Sequence, residues 1–316
     1  MTSITRRRVT FGDDPDDGFS LIELGAAGAG PTVSVVGGVH GDEFEGVVAC
    51  LRAVDELAAI ALRGRVRIVP VAHEAAHRAS LRSSPRDGLN LARTFPGDPA
   101  GSPTERLAAA LLGEVIAGSD LFIDLHSAGT GYAMPLLAGW TDDGCPTCQR
   151  GGLFAAAFGA PVLWRHPGPV PPGRTLSAAH DAGIPAFYAE AAGGGTVTAA
   201  HADAYVAGLR RVLVAAGILP AAEAQPAPAP VRLAGEGNLD VPAMVAPFDG
   251  VCEMTVGVLD AVAIGQVVAV VTDPATGVRA DVVAGAAGVV MLARRGARVA
   301  RGDNLVVLAA RDEPTD

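Results

Sequence analysis

The chain has 316 residues, enough to bury a large core and to form two domains. Its formal net charge of -10 at pH 7 argues against a nucleic-acid-binding surface. Hydrophobic residues make up 49% of the chain, but no apolar run is both long enough and free enough of charge to cross a bilayer, so we expect no membrane partner.

Short β-branched runs between Gly or Pro predict buried strands, and apolar residues that recur every three or four positions predict helices. In chain order, the pattern predicts strands at 19–24 and 33–39, a helix within 43–62, a strand at 66–71, a helix at 104–119 capped by Thr104, a strand at 120–126, helices at 151–159 and 175–183, a strand at 185–190 and a helix at 202–217. Strands that alternate with helices indicate a layered α/β domain with a largely parallel sheet, in which chemistry collects at the carboxyl ends of the strands.

The C-terminal part of the chain has a different composition. Residues 220–230 form an Ala/Pro linker after a first domain at 1–219, and residues 231–312 predict a small all-β module. Two halves of this module share a pattern of a Gly-Val turn and V-x-x-G-[QD], which resembles a lipoyl/biotinyl-type barrel. Such carriers need a lysine to modify, and this chain has none, which leaves packing, oligomerisation or covering of a site as its role.

The N-terminal segment TRRRVTF resembles the start of a twin-arginine export signal. The segment GDDPDDGF follows it, which is polar and acidic and lacks the apolar stretch of a signal peptide, so we expect a cytoplasmic protein.

Cys145 and Cys148 form a C-x-x-C pair in a polar segment. Because the sequence shows no further ligands at similar spacing, we interpret the pair as loop thiols without a metal or redox role.

The segment GGVHGDEFEG places His40 and Glu43, spaced H-x-x-E, at the end of a predicted strand. A third candidate ligand, His126, ends the strand in FIDLHSAG. Two ligands on a short spacer and a third from a distant strand are typical of catalytic zinc sites, whose fourth position is left for water. Asp124, two positions before His126 on the same strand, could orient a ligand by a hydrogen bond without binding the metal itself. Either histidine alone is more often structural, but both at strand ends beside Glu43 favour a metal site.

Glu190 ends the apolar run IPAFYAE, where burial should raise its pKa as a general base requires. The alternative is a glutamate that only caps the following glycine loop.

The loop LRSSPRDGLNLARTFPG contains Arg82, Arg86 and Arg93, whose guanidinium groups can bind an anionic substrate and stabilise an oxyanion. Solvated surface arginines are the alternative, and it is the more credible one for Arg86.

Four segments in this order resemble the succinylglutamate desuccinylase/aspartoacylase family, the deacylase branch of the carboxypeptidase A-like zinc hydrolases: GGVHGDEFEG, RSSPRDGLNLARTFPG, DLHSAG and GIPAFYAEAAGGG. The resemblance spans roughly residues 20 to 217. It implies a three-layer α/β/α zinc-hydrolase domain with a mixed, largely parallel sheet. It also implies one Zn2+ per chain, held by His40, Glu43 and His126, with Glu190 as the general base and Arg82 polarising the scissile carbonyl.

The resemblance further assigns substrate binding to Arg93 and Asn90. The family usually reads N-L-N-R before F-P-G, whereas this chain reads NLAR, with Ala92 in place of the second asparagine. That change puts the usual acyl-amino-acid preference in doubt but not the metal chemistry.

The motifs, together with the activity that the resemblance implies, predict hydrolysis of the amide of a small N-acyl amino acid or N-acyl amine by metal-bound water and a glutamate base. The alternatives are a carboxypeptidase-type metallopeptidase and a non-catalytic binding protein on the same fold. The sequence leaves open whether the chain forms a homo-oligomer.

Overall fold

The computed structural model describes residues 2–12, 14, 17–223, 226–237 and 244–312. The strands up to residue 190 are β1 (Ile4–Thr10), β2 (Gly18–Gly25), β3 (Thr32–Gly37), β4 (Arg65–Val69), β5 (Leu121–Leu125), β6 (Tyr132–Ala133), β7 (Leu137–Asp142), β8 (Val162–Pro167) and β9 (Ala186–Glu190). The α-helices are α1 (Glu45–Ala58), α2 (Glu74–Ala79), α3 (Pro103–Leu111), α4 (Pro146–Phe158), α5 (Thr175–Asp181) and α6 (Ala199–Ala215). Among the described residues, no helix is long and apolar enough to cross a membrane.

The main sheet begins in the order β1-β2-β4-β3-β5-β9-β7-β8. The row β4-β3-β5-β9 is parallel throughout, and β7 is parallel to β8. The pairs β1–β2, β2–β4 and β7–β9 are antiparallel. This mixed, largely parallel sheet confirms the predicted fold class.

Helices cover both faces of the sheet, which gives three layers. One hydrophobic cluster joins the sheet to α1, α4 and α6, and a second joins it to α3 and α5. Every residue of β3 is buried, with Val35 in the first cluster and its neighbour Val36 in the second. A strand that is apolar on both faces is expected for a parallel strand between two helical layers.

Several element boundaries differ from the predicted ones. The prediction that Thr104 caps its helix is wrong, because α3 is capped by Ser102, whose backbone N–H donates to the Glu105 carboxylate at 2.8 Å. Thr104 instead donates its hydroxyl to Asp87 at 2.8 Å. α3 ends at Leu111 and passes into a π-helical turn over Leu112–Ile116. α4 begins at Pro146, five residues before the predicted start, so the C-x-x-C pair lies at a helix N-terminus and not in a loop.

Among the described residues after 230, the regular elements are strands. They are β10 (Val231–Ala234), β11 (Met244–Val245), β12 (Gly250–Met254), β13 (Ala261–Val262), β14 (Val267–Thr272), β15 (Arg279–Val283), β16 (Gly288–Arg294), β17 (Arg298–Val299) and β18 (Asn304–Arg311). The two repeated halves exchange strands, because β13 of the first half pairs with β16 and β17 of the second half pairs with β12. A shared core of Val, Leu, Ala and Met side chains lies between the halves.

The main sheet continues from the N-terminal part into this C-terminal part. β10 pairs in parallel with β8 and antiparallel with β18, and β6 pairs with β16. The division into domains at 219 and 231 therefore stays a prediction, with one sheet running across it. Residues 224–225 of the predicted linker, 238–243 of the predicted module, and 13, 15 and 16 of the acidic N-terminal segment lie outside the described residues.

Candidate active site

Three neighbouring parallel strands end at the same edge of the sheet. Gly37 at the end of β3 pairs with Leu125 at the end of β5, and Leu125 pairs with Ala189 in β9. The next residues along these strands are candidate site residues: His40 follows β3, His126 follows β5, and Glu190 ends β9. The sheet register therefore brings together side chains that are up to about 150 positions apart in sequence, as parallel α/β sheets do at their carboxyl edge.

His40, Glu43 and His126 form a compact group whose ligand atoms all lie within 4.8 Å of one another. Nδ1 of His40 is 2.7 Å from Oε1 of Glu43, and Nδ1 of His126 is 2.8 Å from Oε2 of the same carboxylate. Two imidazole nitrogens and one carboxylate directed at a common point are a donor set that suits a divalent transition metal such as zinc. The three residues fit a metal ion.

The other nitrogen of each histidine is held by a separate partner. Nε2 of His40 lies 3.1 Å from Oδ1 of Asn90, and Nε2 of His126 lies 2.8 Å from Oδ2 of Asp124. Such partners fix the ring orientation and the tautomer that leave Nδ1 available for a metal. Asp124 is fixed in turn by the Thr175 hydroxyl, which donates to its Oδ2 at 2.5 Å.

Asn90 makes contacts that the sequence did not predict. Its carboxamide oxygen accepts from the backbone N–H of Ala92 at 2.9 Å and contacts His40, because Asn90 caps the short 3-10 helix Leu91–Arg93. The described residues that line the cavity do not include Asn90. The Asn90 carboxamide therefore contacts a candidate ligand, and its role in substrate binding stays a prediction.

The remaining acids of the segment GGVHGDEFEG have structural partners. Oδ2 of Asp42 accepts from the backbone N–H of Thr130 at 3.1 Å, and Oε1 of Glu45 accepts from the backbone N–H of Gly193 at 3.0 Å. Thr130 follows β5 and Gly193 follows β9. These two carboxylates therefore tie the start of α1 to the loops after the neighbouring strands, and only Glu43 joins the metal-ligating group.

The electrostatic state of the group follows from burial and from close opposite charges. Burial opposes the charged form of His126, but the carboxylates of Asp124 and Glu43 outweigh it and hold the His126 pKa well above its ordinary value. Burial also opposes the charged form of Glu43, yet His40 and His126 hold its pKa well below the usual range. Glu43 therefore carries the negative charge that a metal ligand needs.

Glu190 lies at the mouth of the same edge, partly buried, with Oε2 lacking a hydrogen-bond partner among the described residues. Burial, followed by the nearby Glu43 carboxylate, raises the Glu190 pKa to about 8. The direction agrees with the sequence-based expectation. A carboxylate of raised basicity beside a metal-ligating group is the arrangement that general base catalysis uses.

Two of the three predicted arginines line the cavity over this group. Arg82 donates from Nη1 to Oε1 of Glu43 at 3.0 Å and also lines the cavity. Arg93 lines the cavity as well, from the end of the 3-10 helix, and donates from Nη1 to the backbone oxygen of Ala92 at 2.8 Å. Arg86, in contrast, pairs with Asp17 away from this cavity.

A cavity of about 360 Å³ opens over these residues, a size that suits a small ligand. Sequence reasoning missed several of its lining residues, among them Trp164, His166, Arg174, Tyr188, Glu236 and Leu292. Tyr188 could have been found, because it is two positions before Glu190 on β9 and so faces the same side of the sheet. Its hydroxyl lies 2.7 Å from Nε2 of His166, a contact between strands that sequence spacing does not reveal.

Comparison with known proteins gives one family. The catalytic-domain model of the succinylglutamate desuccinylase/aspartoacylase family matches residues 29–216. An N-alpha-acetyl-L-2,4-diaminobutyric acid deacetylase from Halomonas elongata is 44% identical over 135 residues, which are 42% of this chain and 40% of that protein. The match thus covers less than half of the length of this relative.

Two solved structures resemble nearly the whole chain. A succinylglutamate desuccinylase from Silicibacter sp. TM1040 has a TM-score of 0.86 at 28% identity and covers 98% of this chain and 95% of its own. The product-bound ectoine utilization protein EutE (DoeB) from Ruegeria pomeroyi has a TM-score of 0.84 at 29% identity, and the match covers 97% of this chain and 95% of that protein's chain. Both similarities extend through the C-terminal strands.

Proposed function

We propose that this chain, which belongs to the succinylglutamate desuccinylase/aspartoacylase family as its four motifs predict, hydrolyses the amide bond of a small N-acyl amino acid with one catalytic zinc ion per chain. The observation that carries the proposal is the convergence of His40, Glu43 and His126 on one point beside Glu190. The substrate is a small molecule that fits the cavity over this group.

The residues divide the reaction between them. Zinc held by His40, Glu43 and His126 would polarise the substrate carbonyl and lower the pKa of a water molecule. Glu190 accepts a proton from the attacking water through Oε2, which has no hydrogen-bond partner among the described residues, and passes it to the leaving nitrogen. Arg82 binds the carbonyl oxygen as negative charge develops on it, because its guanidinium lies beside Glu43 and faces the cavity.

Arg93 and Arg174 are proposed to bind the substrate carboxylate. Both line the cavity, and their segments are joined by a hydrogen bond of 3.1 Å from the Phe95 N–H to the Gly173 oxygen. Guanidinium groups bind carboxylates with two parallel hydrogen bonds and keep their charge at all working pH values. The cavity therefore has a permanently cationic side that a carboxylate-bearing substrate would occupy.

The Halomonas elongata relative is named for a substrate that has a second amino group, and this chain has an acid in the proposed substrate cavity. Glu236, next to β10, lines the cavity together with the arginines. An aliphatic ammonium is charged at neutral pH, and a carboxylate is its natural partner. We include N-acetyl diamino acids as the first substrates to test.

Glu236→Gln should raise the KM for N-acetyl-2,4-diaminobutyrate by roughly ten- to a hundred-fold, since a hydrogen bond to a charged group contributes about 1.5–3 kcal/mol. The KM for N-acetyl-2-aminobutyrate, which lacks the second amino group, should not change. Steady-state kinetics on the two substrates measure this directly. An equal rise for both substrates would mean that Glu236 does not bind an ammonium.

The decisive test of the proposed function is amine release from N-acetyl, N-succinyl and N-formyl amino acids, before and after metal removal and zinc addition. We expect turnover that a chelator abolishes and zinc restores. By elemental analysis, His126→Ala should contain one zinc fewer per chain than the wild type, whereas the control His201→Ala, on α6, should keep the wild-type zinc content. Release of C-terminal residues from peptides would support the carboxypeptidase alternative, and binding without turnover in zinc-replete protein would support the non-catalytic one.

A further inference from the structure

A second group of metal-binding side chains lies outside the cavity. Cys145 caps α4, Cys148 lies in its first turn, and Asp143 precedes both in the turn after β7. His180, on α5, completes the group. One ligand atom from each of the four residues lies within 4.8 Å of the corresponding atoms of the others.

We propose that Asp143, Cys145, Cys148 and His180 form a structural zinc site. Two sulfurs, one imidazole and one carboxylate oxygen make a complete four-ligand set, which is typical of closed structural sites and leaves no position for substrate. Thiolate and imidazole donors select zinc over magnesium or calcium. The sequence interpretation of the two cysteines as loop thiols missed the site, because His180 is 32 positions beyond Cys148 and only the packing of α5 brings it near.

The orientation of the donors supports this assignment. Nε2 of His180 lies 3.0 Å from Oδ2 of Asp143, and its Nδ1 lies 3.3 Å from the Asp181 carboxylate, which can fix the ring as outer partners of metal ligands do. The backbone N–H of Cys148 donates to Sγ of Cys145 at 3.2 Å. A disulfide between the two cysteines would account for the sulfurs but not for the convergence of Asp143 and His180 on them.

The site would fix the wall of the active-site cavity. α5 begins at Thr175, which donates to Asp124, the partner of His126. The residues just before α5, including Pro171 and Arg174, line the cavity. A metal ion that ties α5 to the start of α4 would therefore hold this wall in place at a distance from the reacting groups.

Cobalt substitution distinguishes this site from the His40, Glu43 and His126 group, because only the proposed site contains sulfur. Metal-free protein loaded with Co2+ should show a sulfur-to-cobalt charge-transfer band in the near ultraviolet. The band should disappear in Cys145→Ser/Cys148→Ser and weaken in His180→Ala, and it should remain in the controls Cys252→Ser and His201→Ala. Elemental analysis should find one zinc fewer per chain in the double variant than in the wild type.

If the double variant does not fold, the wild-type spectrum still tests the proposal. His180→Ala provides a second variant, and it changes a residue that is partly exposed. Absence of the band in wild-type protein would overturn the proposal. Equal zinc content in the wild type and in folded variants would overturn it too. Mass spectrometry that finds a Cys145–Cys148 disulfide in metal-loaded wild-type protein would show a redox pair in place of a metal site.

Discussion

The position of Glu190 explains how an ordinary carboxylate acquires the basicity that the proposed role of general base requires. The strand β9 delivers it to a partly buried edge beside Glu43, and both burial and that second carboxylate disfavour its charged form. Only one oxygen needs a proton, and Oε2 is the atom without a partner among the described residues. Removal of the proton-accepting oxygen should therefore affect chemistry more than structure.

Glu190→Gln should lower kcat by at least ~10²-fold, the low end for a positioned general base, because an amide cannot accept the proton of water. The folded structure and the zinc content should be unchanged, since the side chains are nearly equal in size and Glu190 is outside the ligand group. Glu253→Gln, on the exposed face of β12, is the matched control and should keep full activity. A Glu190→Gln enzyme with a near wild-type kcat would exclude Glu190 as the base.

Ala92 stands where the family resemblance predicts an asparagine, and it lines the cavity next to Arg93. An asparagine there would add a hydrogen bond to a bound carboxylate, worth roughly 1.5–3 kcal/mol. Ala92→Asn should then lower the KM for N-acyl amino acids about ten- to a hundred-fold, with little change in kcat. Steady-state kinetics measure both, with Ala79→Asn at the exposed end of α2 as control. If every KM is unchanged or higher, the cavity does not bind a carboxylate at this position.

At the residue scale, sequence patterns could identify groups that lie next to strand ends but not contacts made across the fold. His40 and His126 were predictable because each follows an apolar run. Arg174 was not, because it follows a proline-rich segment without a periodic pattern. The contact of Asn90 with His40 was not predictable, because it depends on a 3-10 turn that the sequence did not indicate.

At the element scale, strands that carry a short apolar run between Gly or Pro residues were predictable, and strands rich in polar residues were not. β3 and β5 are buried along their whole length, so their positions agree with the prediction. β1 contains three consecutive exposed arginines and lies at the sheet edge, where no apolar pattern is required. The first half of β8 is apolar and buried, and residues of its second half line the cavity. The strand therefore lacks the alternation of apolar and polar residues by which a strand is predicted.

The contact between α1 and β5 couples helix packing to the proposed metal site. Gly46, near the start of α1, lies so close to β5 that a Cβ atom would be 2.5 Å from the backbone oxygen of Leu125. Glu43 precedes α1 by two residues and His126 follows Leu125 directly. The separation of two candidate ligands is therefore set by this glycine.

Gly46→Ala should destabilise the fold by about 1–3 kcal/mol, the usual cost of overpacking, and should lower zinc occupancy by displacing Glu43 from His126. Gly113→Ala in the π-helical turn is the matched control, because a Cβ atom added there would point into open space. Thermal unfolding and metal analysis on the same samples test both effects. Wild-type zinc content together with wild-type stability would show that the two elements can separate without cost to the site.

At the scale of the whole molecule, the C-terminal strands extend the main sheet and cover the cavity. Leu292 on β16 and Glu236 after β10 both line it, so the C-terminal part limits the space above the site. The change in composition near residue 220 correctly predicted that strands follow it. It could not predict the shared sheet, because β10 and β8 pair through backbone hydrogen bonds that carry no side-chain pattern.

One hydrophobic cluster joins the two parts, with Trp164 and Leu137 from the N-terminal side and Met291 and Val307 from the C-terminal side. Because the cluster and the sheet are continuous, we expect a single unfolding transition by calorimetry. Met291→Ala, at a fully buried position, should cost about 2–5 kcal/mol and lower the temperature of that one transition. Val283→Ala, at an exposed position, should leave it nearly unchanged. Two resolved transitions, with only one shifted by Met291→Ala, would mean that the parts unfold independently and that the cover over the cavity can open on its own.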